Sequence, residues 1–149
     1  MNVPGNAVNH LIETERLFLR ELNRNDSSGL SSILCDPESM RYYPHPFSME
    51  EVQSWIIRNM ENYNKYSHGP WAVVLRAENI LVGDCGITIQ DIEGEELHEL
   101  AYYIKKEFCS MGYATEACRA CINYAFGNLR YDSVCSYMRI DNYPSIRVA

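Results

Sequence analysis

Positive charge is scarce in this chain. Its 149 residues hold 13 Lys and Arg against 20 Asp and Glu, a formal net charge of −7. That balance excludes a general binder of nucleic acid or of an anionic membrane surface, both of which need a basic footprint. It suits an amine or another cationic partner. No apolar run is long enough to span a bilayer, and residues 1–10 have no leader-like pattern, so the expectation is a cytoplasmic protein. Repeats, low-complexity tracts and linkers are absent. Cysteine is present at 35, 85, 109, 118, 121 and 135, but the single C-x-x-C, Cys118 to Cys121, has no second pair to complete a metal set. It falls inside a helical pattern, so these read as small apolar residues of a reduced compartment, with no metal site expected. Two nucleotide-binding signatures are missing as well: there is no G-x-G-x-x-G and no lysine following a glycine loop.

What is present is the content of one globular domain. Hydrophobic residues make up 46% and charged residues 22%, enough for a core at this length. Residues 1–11 read as a loose tail and 12–149 as the domain. Arg16 to Leu22 alternates as a strand and Asp26 to Leu34 reads as a short helix, ended by Asp36-Pro37. Ser48-Met49-Glu50-Glu51 is a capping box, and Val52, Trp55, Ile56, Met60 and Tyr63 continue at helical spacing to Tyr66. Trp71 to Leu75, Leu81 to Ile89 and Leu97 to Ile104 read as strands, with a turn over Asp91 to Glu96. Tyr113 to Leu129 is a second long helix with small residues on one face, and Ser133 to Ile140 reads as a last strand. The order β-α-α-β-β-β-α-β describes a mostly antiparallel sheet flanked by helices, an α/β (α+β) class with one late crossover.

The richest segment is Cys109 to Phe126, CSMGYATEACRACINYAF. A strand feeding a tight turn and a helix N-terminus gathers backbone N–H groups at one spot and adds the helix dipole, which suits a pyrophosphate. An ordinary strand–turn–helix connection is the alternative.

That segment, in this order of elements, resembles the GNAT acyltransferase superfamily, in the branch similar to ribosomal-protein N-acetyltransferases. Ile12-Glu13-Thr14-Glu15-Arg16-Leu17 with Leu19-Arg20 resembles its E-T-E-R-L-x-L-R opening. Gly83-Asp84-Cys85-Gly86 resembles its V-G-x-x-G strand, and Glu99 to Ile104 followed by Gly112 to Ala117 resembles E-x-G-Y-x-[IL] and then G-Y-A-T-E-A. Asn142 to Ala149 resembles the N-x-x-S-x-R-V after the fifth strand. Two departures stand out. Cys109-Ser110-Met111 replaces the usual start of the cradle, removing a lysine at Met111. The chain also stops where similar proteins continue into further strands.

The resemblance implies direct transfer of an acetyl group from acetyl-CoA to a primary amine, a protein N-terminus or a small molecule. The alternative is a non-catalytic acyl-CoA-binding or interaction module. An attacking amine must be neutral, yet lysine-type amines titrate near ~10.4 and α-amines near ~8. A base is therefore worth roughly 10²–10⁴-fold. Glu99, in the strand before the cradle, is the candidate base, against a solvent-facing strand carboxylate; His98, on the opposite face, is the other candidate. Tyr137, with Tyr143 and Tyr103, is a candidate to protonate the leaving thiolate. The main chain of Tyr103 and Ile104 is expected to pair with pantetheine, the amides of Met111, Gly112, Tyr113, Ala114 and Thr115 to hold the pyrophosphate, and Asn142 to touch pantetheine. Gly112→Val is expected to block binding with little loss of stability. Arg41, Tyr42, Tyr43, His45 and Phe47 are expected to wall the acceptor site or cap the core, and Glu116 to serve structure. With the family's last strands missing, the Ser133–Ile140 edge is expected to drive dimerisation and to weaken catalysis.

Overall fold

The computed structural model describes residues 10–149. Residues 1–9, the bulk of the segment read as a tail, lie outside the described residues. Strand β1 (His10–Glu13) takes the next residues into the sheet, and β2 (Leu17–Arg20) follows after a tight turn. Helices α1 (Ser27–Leu34) and α2 (Met49–Tyr66) precede strands β3 (Pro70–Leu75), β4 (Ile80–Ile92) and β5 (Glu95–Ile104). Helix α3 (Tyr113–Gly127) and the short α4 (Tyr143–Val148) close the chain. Among the described residues the five strands form one sheet in chain order, every neighbouring pair antiparallel.

Local chemistry explains most boundaries. The capping box at α2 forms as its residues predict: Glu51 N–H donates to Ser48 Oγ at 3.1 Å and Ser48 N–H to Glu51 Oε1 at 3.3 Å. Ser67 ends that helix in the left-handed region, φ 66°. The β4–β5 hairpin is longer than the sequence pattern implied. Its turn shrinks to Glu93 and Gly94, both with positive φ (54° and 82°), the geometry that matches strand twist and lets the ladder run to Ile92 and Glu95. Gly83 is required by close approach: a Cβ there would lie 2.0 Å from the Tyr103 carbonyl oxygen.

The expected strand over Ser133 to Ile140 does not form. The segment touches β5 at one parallel bridge, Glu99 to Cys135, with Leu100 N–H donating to Cys135 O (2.7 Å) and Cys135 N–H to His98 O (2.9 Å). Its alternation is real, but beyond the bridge Tyr137 is 53% and Ile140 91% exposed and Met138 is only partly buried. Alternation without a buried face does not hold a ladder.

The core fills both faces of the sheet. Cys85, Ile87, Leu100 and Trp71 meet Ala117, Cys118, Cys121 and Ala125 of α3, and the Cys85 sulfur lies 3.6 Å from Cys121 and 3.9 Å from Cys118. The three thiols pack as buried apolar groups. On the other face α1 and α2 contribute Leu30, Ile33, Leu34, Val52 and Ile56.

Two polar clusters tie distant segments together. Glu116, in the first turn of α3, accepts from Thr14 Oγ1 (2.5 Å), Arg16 N–H (3.0 Å) and Arg16 Nε (2.8 Å). Burial pushes its carboxyl up, but these donors outweigh that and hold it below the usual range. Arg20 grips Asp26 with two bonds of 2.8 Å at the foot of α1. The second cluster is His68, fully buried before β3. Its Nδ1 donates to the Ile87 carbonyl (2.7 Å), so Nε2 accepts the Tyr131 hydroxyl (2.6 Å), and His98 stacks on the Tyr131 ring at 3.6 Å.

Removing the Glu116 acceptor should cost about 1–3 kcal/mol, read as a lower urea midpoint for Glu116→Ala. His68 gives a pH signature. Burial holds its folded pKa below the ordinary value, so its contribution is complete above the unfolded pKa of about 6.5 and declines as pH falls below it. Urea melts from about pH 7 to about pH 5 should lose stability, and His68→Gln should flatten that slope.

Candidate functional site

The free edge of β5 opens the site. His98 and Leu100 give their outward groups to Cys135. Two-residue alternation then aims the polar groups of Tyr102 and Ile104 outward and those of Tyr103 toward β4. The Tyr103 carbonyl, packed against Gly83, agrees. The outer edge of the strand therefore carries the main chain of Tyr102 and Ile104, while the main chain of Tyr103 pairs with β4 and its ring enters the cleft lining. A cleft of about 380 Å³ runs along this edge, lined by Tyr42, Tyr43, Tyr102, Tyr103, Ile104 and Asn142 and reaching Ser110 and Ala114 of the cradle.

The cradle is built by left-handed backbone. Ser110 (φ 64°) and Gly112 (φ 83°) turn the chain into α3, and no side chain caps that helix. The first-turn amides of Tyr113, Ala114 and Thr115 are thus open to an acceptor, the condition for holding a phosphate. Arg16 steadies the loop from behind, donating Nη1 to the Met111 carbonyl at 2.9 Å and lying 4.4 Å over the Tyr113 ring. Met111 itself is exposed. Asn142 is buried at the start of α4, where its side-chain oxygen accepts Ser145 N–H at 3.3 Å, and Tyr102 ties α4 to β5 through the Ser145 carbonyl at 2.8 Å. Burial pushes the Tyr102 hydroxyl up to about 12.

Glu99 sits where the edge becomes free. It is half-buried and accepts from Thr88 Oγ1 at 3.2 Å, and Gln90 Nε2 supports Thr88 at 3.3 Å. Tyr137 also donates to Glu99. Burial raises the Glu99 carboxyl above its ordinary value, and the donors from Thr88, Tyr137 and Gln90 pull it part of the way back. Tyr43 reaches over from the loop between α1 and α2, its ring 5.4 Å from Tyr103 and its hydroxyl bonded to that of Tyr103. Burial raises the Tyr103 hydroxyl far above its usual range.

Other candidates fall elsewhere. His98 lies on the opposite face, against Tyr131 and 3.7 Å from Glu96. Tyr143 is 63% exposed at the start of α4. Of the expected acceptor wall, Tyr42 and Tyr43 line the cleft with Arg41, whereas His45 pairs with Glu51 at 3.3 Å and Phe47 packs on the core. Thr88 and Gln90 carried no motif signal; only the register of β4 against β5 brings them to the site, whereas Tyr102 stands at the tyrosine of the E-x-G-Y-x-[IL] resemblance.

The model of the acetyltransferase (GNAT) domain matches residues 16–149. The chain belongs to the GNAT acetyltransferase family. It is similar to the uncharacterized protein YkkB of Bacillus subtilis (strain 168), with 31% identity over 145 residues, 97% of this chain and 84% of that protein. The uncharacterized N-acetyltransferase YnaD of the same organism is 28% identical over 139 residues, 92% of this chain and 78% of its own length. The crystal structure of a GNAT-family acetyltransferase from Bacillus anthracis superposes with a TM-score of 0.79 at 28% identity, covering 92% of this chain and 78% of that one. The protein is thus an N-acetyltransferase of a family that uses acetyl-CoA, and the uncapped amides after Gly112 and the free β5 edge fit that cosubstrate. Among the described residues no helix is long and apolar enough to cross a membrane.

Gly112→Val should abolish acetyl-CoA binding in calorimetry. The positive φ corrects the expectation of little loss of stability: a β-branched residue held there should cost about 1–2 kcal/mol as well, read by thermal melting.

Proposed function

We propose that this GNAT protein moves the acetyl group of acetyl-CoA directly to a primary amine, of a protein N-terminus or a small molecule, with Glu99 as the general base. The observation that carries this is the placement of Glu99. It is the half-buried carboxylate beside Leu100, the last residue of β5 paired on the outer edge; the Tyr137 phenol bonds to it, and those of Tyr43 and Tyr103, farther along the strand, feel its charge. Acetyl-CoA supplies an activated thioester. The amides of Gly112, Tyr113, Ala114 and Thr115 hold its pyrophosphate, with Met111 leaving its side chain in solvent. Tyr102 and Ile104 offer strand-like bonds to pantetheine, and Asn142 lines the same wall. Glu99 takes the proton that the amine must lose, directly or through a water, and Thr88 and Gln90 fix its orientation. Tyr137, bonded to Glu99, is placed to return a proton to the departing thiolate.

A raised carboxyl suits this role, because a base titrating nearer the working pH transfers protons more effectively. Activity needs the ionised form, so it should rise with pH through the Glu99 pKa, which lies above the ordinary value near 4.3. Thiol release assayed with a panel of primary amines tests the proposal. Glu99→Gln should lower turnover by roughly 10²-fold, leave acetyl-CoA affinity nearly intact and remove the acidic limb of the pH profile. Full activity in that variant would place the base elsewhere.

A further inference from the structure

Charge differs between the cleft and the sheet face beside it. Near the cradle, Arg41 stacks on Tyr42, donates to the Glu38 carbonyl and acts on the Cys109 thiol with its positive charge. Beyond the cleft lining, on the sheet face that carries the Tyr103 ring, there are two carboxylates. One is Glu99. The other is Asp84 of β4, which is fully buried and has no hydrogen-bond partner on either oxygen among the described residues. An unpartnered buried carboxylate is costly, and its cost is relieved by a positive charge.

Strand register sets where Asp84 stands. It lies directly opposite Tyr103, and Thr88 lies directly opposite Glu99. Both carboxylates therefore occupy one face of the hairpin, separated along β5 by four residues, roughly 13 Å. Between Tyr103 and Glu99 that face carries only Ala101, which leaves a lane along the strand. Tyr43 and Tyr103 border the lane, and both phenols feel the charge of Asp84 and of Glu99. The neighbours do not answer Asp84. Tyr63 commits its hydroxyl to the Pro70 carbonyl and accepts from Leu22 N–H, and the Asn59 amide nitrogen is itself without a partner. Aromatic faces backed by a carboxylate are the chemistry that holds an ammonium.

We infer that this lane is a second ammonium subsite, so that the acceptor is a diamine or polyamine whose distal ammonium rests on Tyr43 and Tyr103, with Asp84 behind them, while its reacting amine meets Glu99. The inference rests on N-acetyl transfer at Glu99. Asp84 is a specificity-determining residue. It is fully buried, and its charge acts on the phenols of Tyr43 and Tyr103 from the interior, where screening by water is weak. Burial favours the neutral carboxyl while the lane is empty, so an arriving ammonium draws out the ionised form and a proton is released on binding.

The test compares kcat/KM for spermidine, putrescine and butylamine by thiol release, in the unaltered protein and in Asp84→Asn. The expected result is a preference for the polyamine of about tenfold or more, the size of a desolvated cation–aromatic contact, expressed in KM and falling toward one in Asp84→Asn. Calorimetry in buffers of different ionisation enthalpy should show proton release with spermidine that Asp84→Asn lacks. Tyr43→Leu, on an accessible loop, should lower the same ratio and carries the test if Asp84→Asn does not fold. A ratio near one in the unaltered protein, or one unchanged by both substitutions, overturns the subsite and leaves Glu99 chemistry standing. No thiol release with any amine overturns the transferase reading, and the subsite with it.

Discussion

One carboxylate organises this molecule. Glu116 gathers Thr14 and Arg16 from the turn between β1 and β2 onto the first turn of α3, a hundred residues away in sequence. Everything the cradle does depends on that anchor. With the N-terminus of α3 fixed against the sheet, Gly112 and Ser110 can hold left-handed backbone and leave the first-turn amides facing the cleft. Arg16 serves both ends of the bond, since the guanidinium that pairs with Glu116 also fastens the Met111 carbonyl. The recurrent residues of the opening segment and of the helix start are thus two halves of one contact.

The second organising feature is the β4–β5 ladder. It places Thr88 against Glu99 and Asp84 against Tyr103, and so decides which polar groups share the reaction face. The close approach of Gly83 to the Tyr103 carbonyl fixes that alignment sterically. The stack of His98, Tyr131 and His68 then holds the opposite face of the same strand, so Glu99 is supported from behind as well as beside.

Much of this could be read from the residues alone, and the parts that could not have clear causes. Helices α1, α2 and α3 announced themselves through periodicity and, for α2, through a capping box that formed as written. Strands β3, β4 and β5 followed from apolar runs between turn residues. Strand β1 was hidden because His10-Leu11-Ile12-Glu13 sets two adjacent apolar residues between polar ones and shows no alternation. The segment after α3 alternates like a strand, but its apolar side chains are at best partly covered, Val134 against the core and Ile140 not at all, which only the assembled structure reveals. At the site, Glu99 and the cradle carried local signals. The direction of the Tyr103 main chain, the partners of Glu99 and the isolation of Asp84 are properties of pairing across strands, and no single segment encodes them.

The tight hairpin turn at Glu93 and Gly94 has a consequence in arithmetic. Side chains on a strand change face with every residue, so the number of residues between that turn and Glu99 decides by its parity what shares a face with Thr88 and Asp84. As the chain stands, the count presents Glu99 and hides His98. One residue inserted in between would put His98 in the place of Glu99, and one removed would put Leu100 there, while leaving the composition of the domain almost untouched. Homologous chains whose hairpins differ by an odd number of residues on this side would therefore carry a different reacting group at the same point in space. Those that differ by an even number would keep Glu99 on the same face but shift it along the strand.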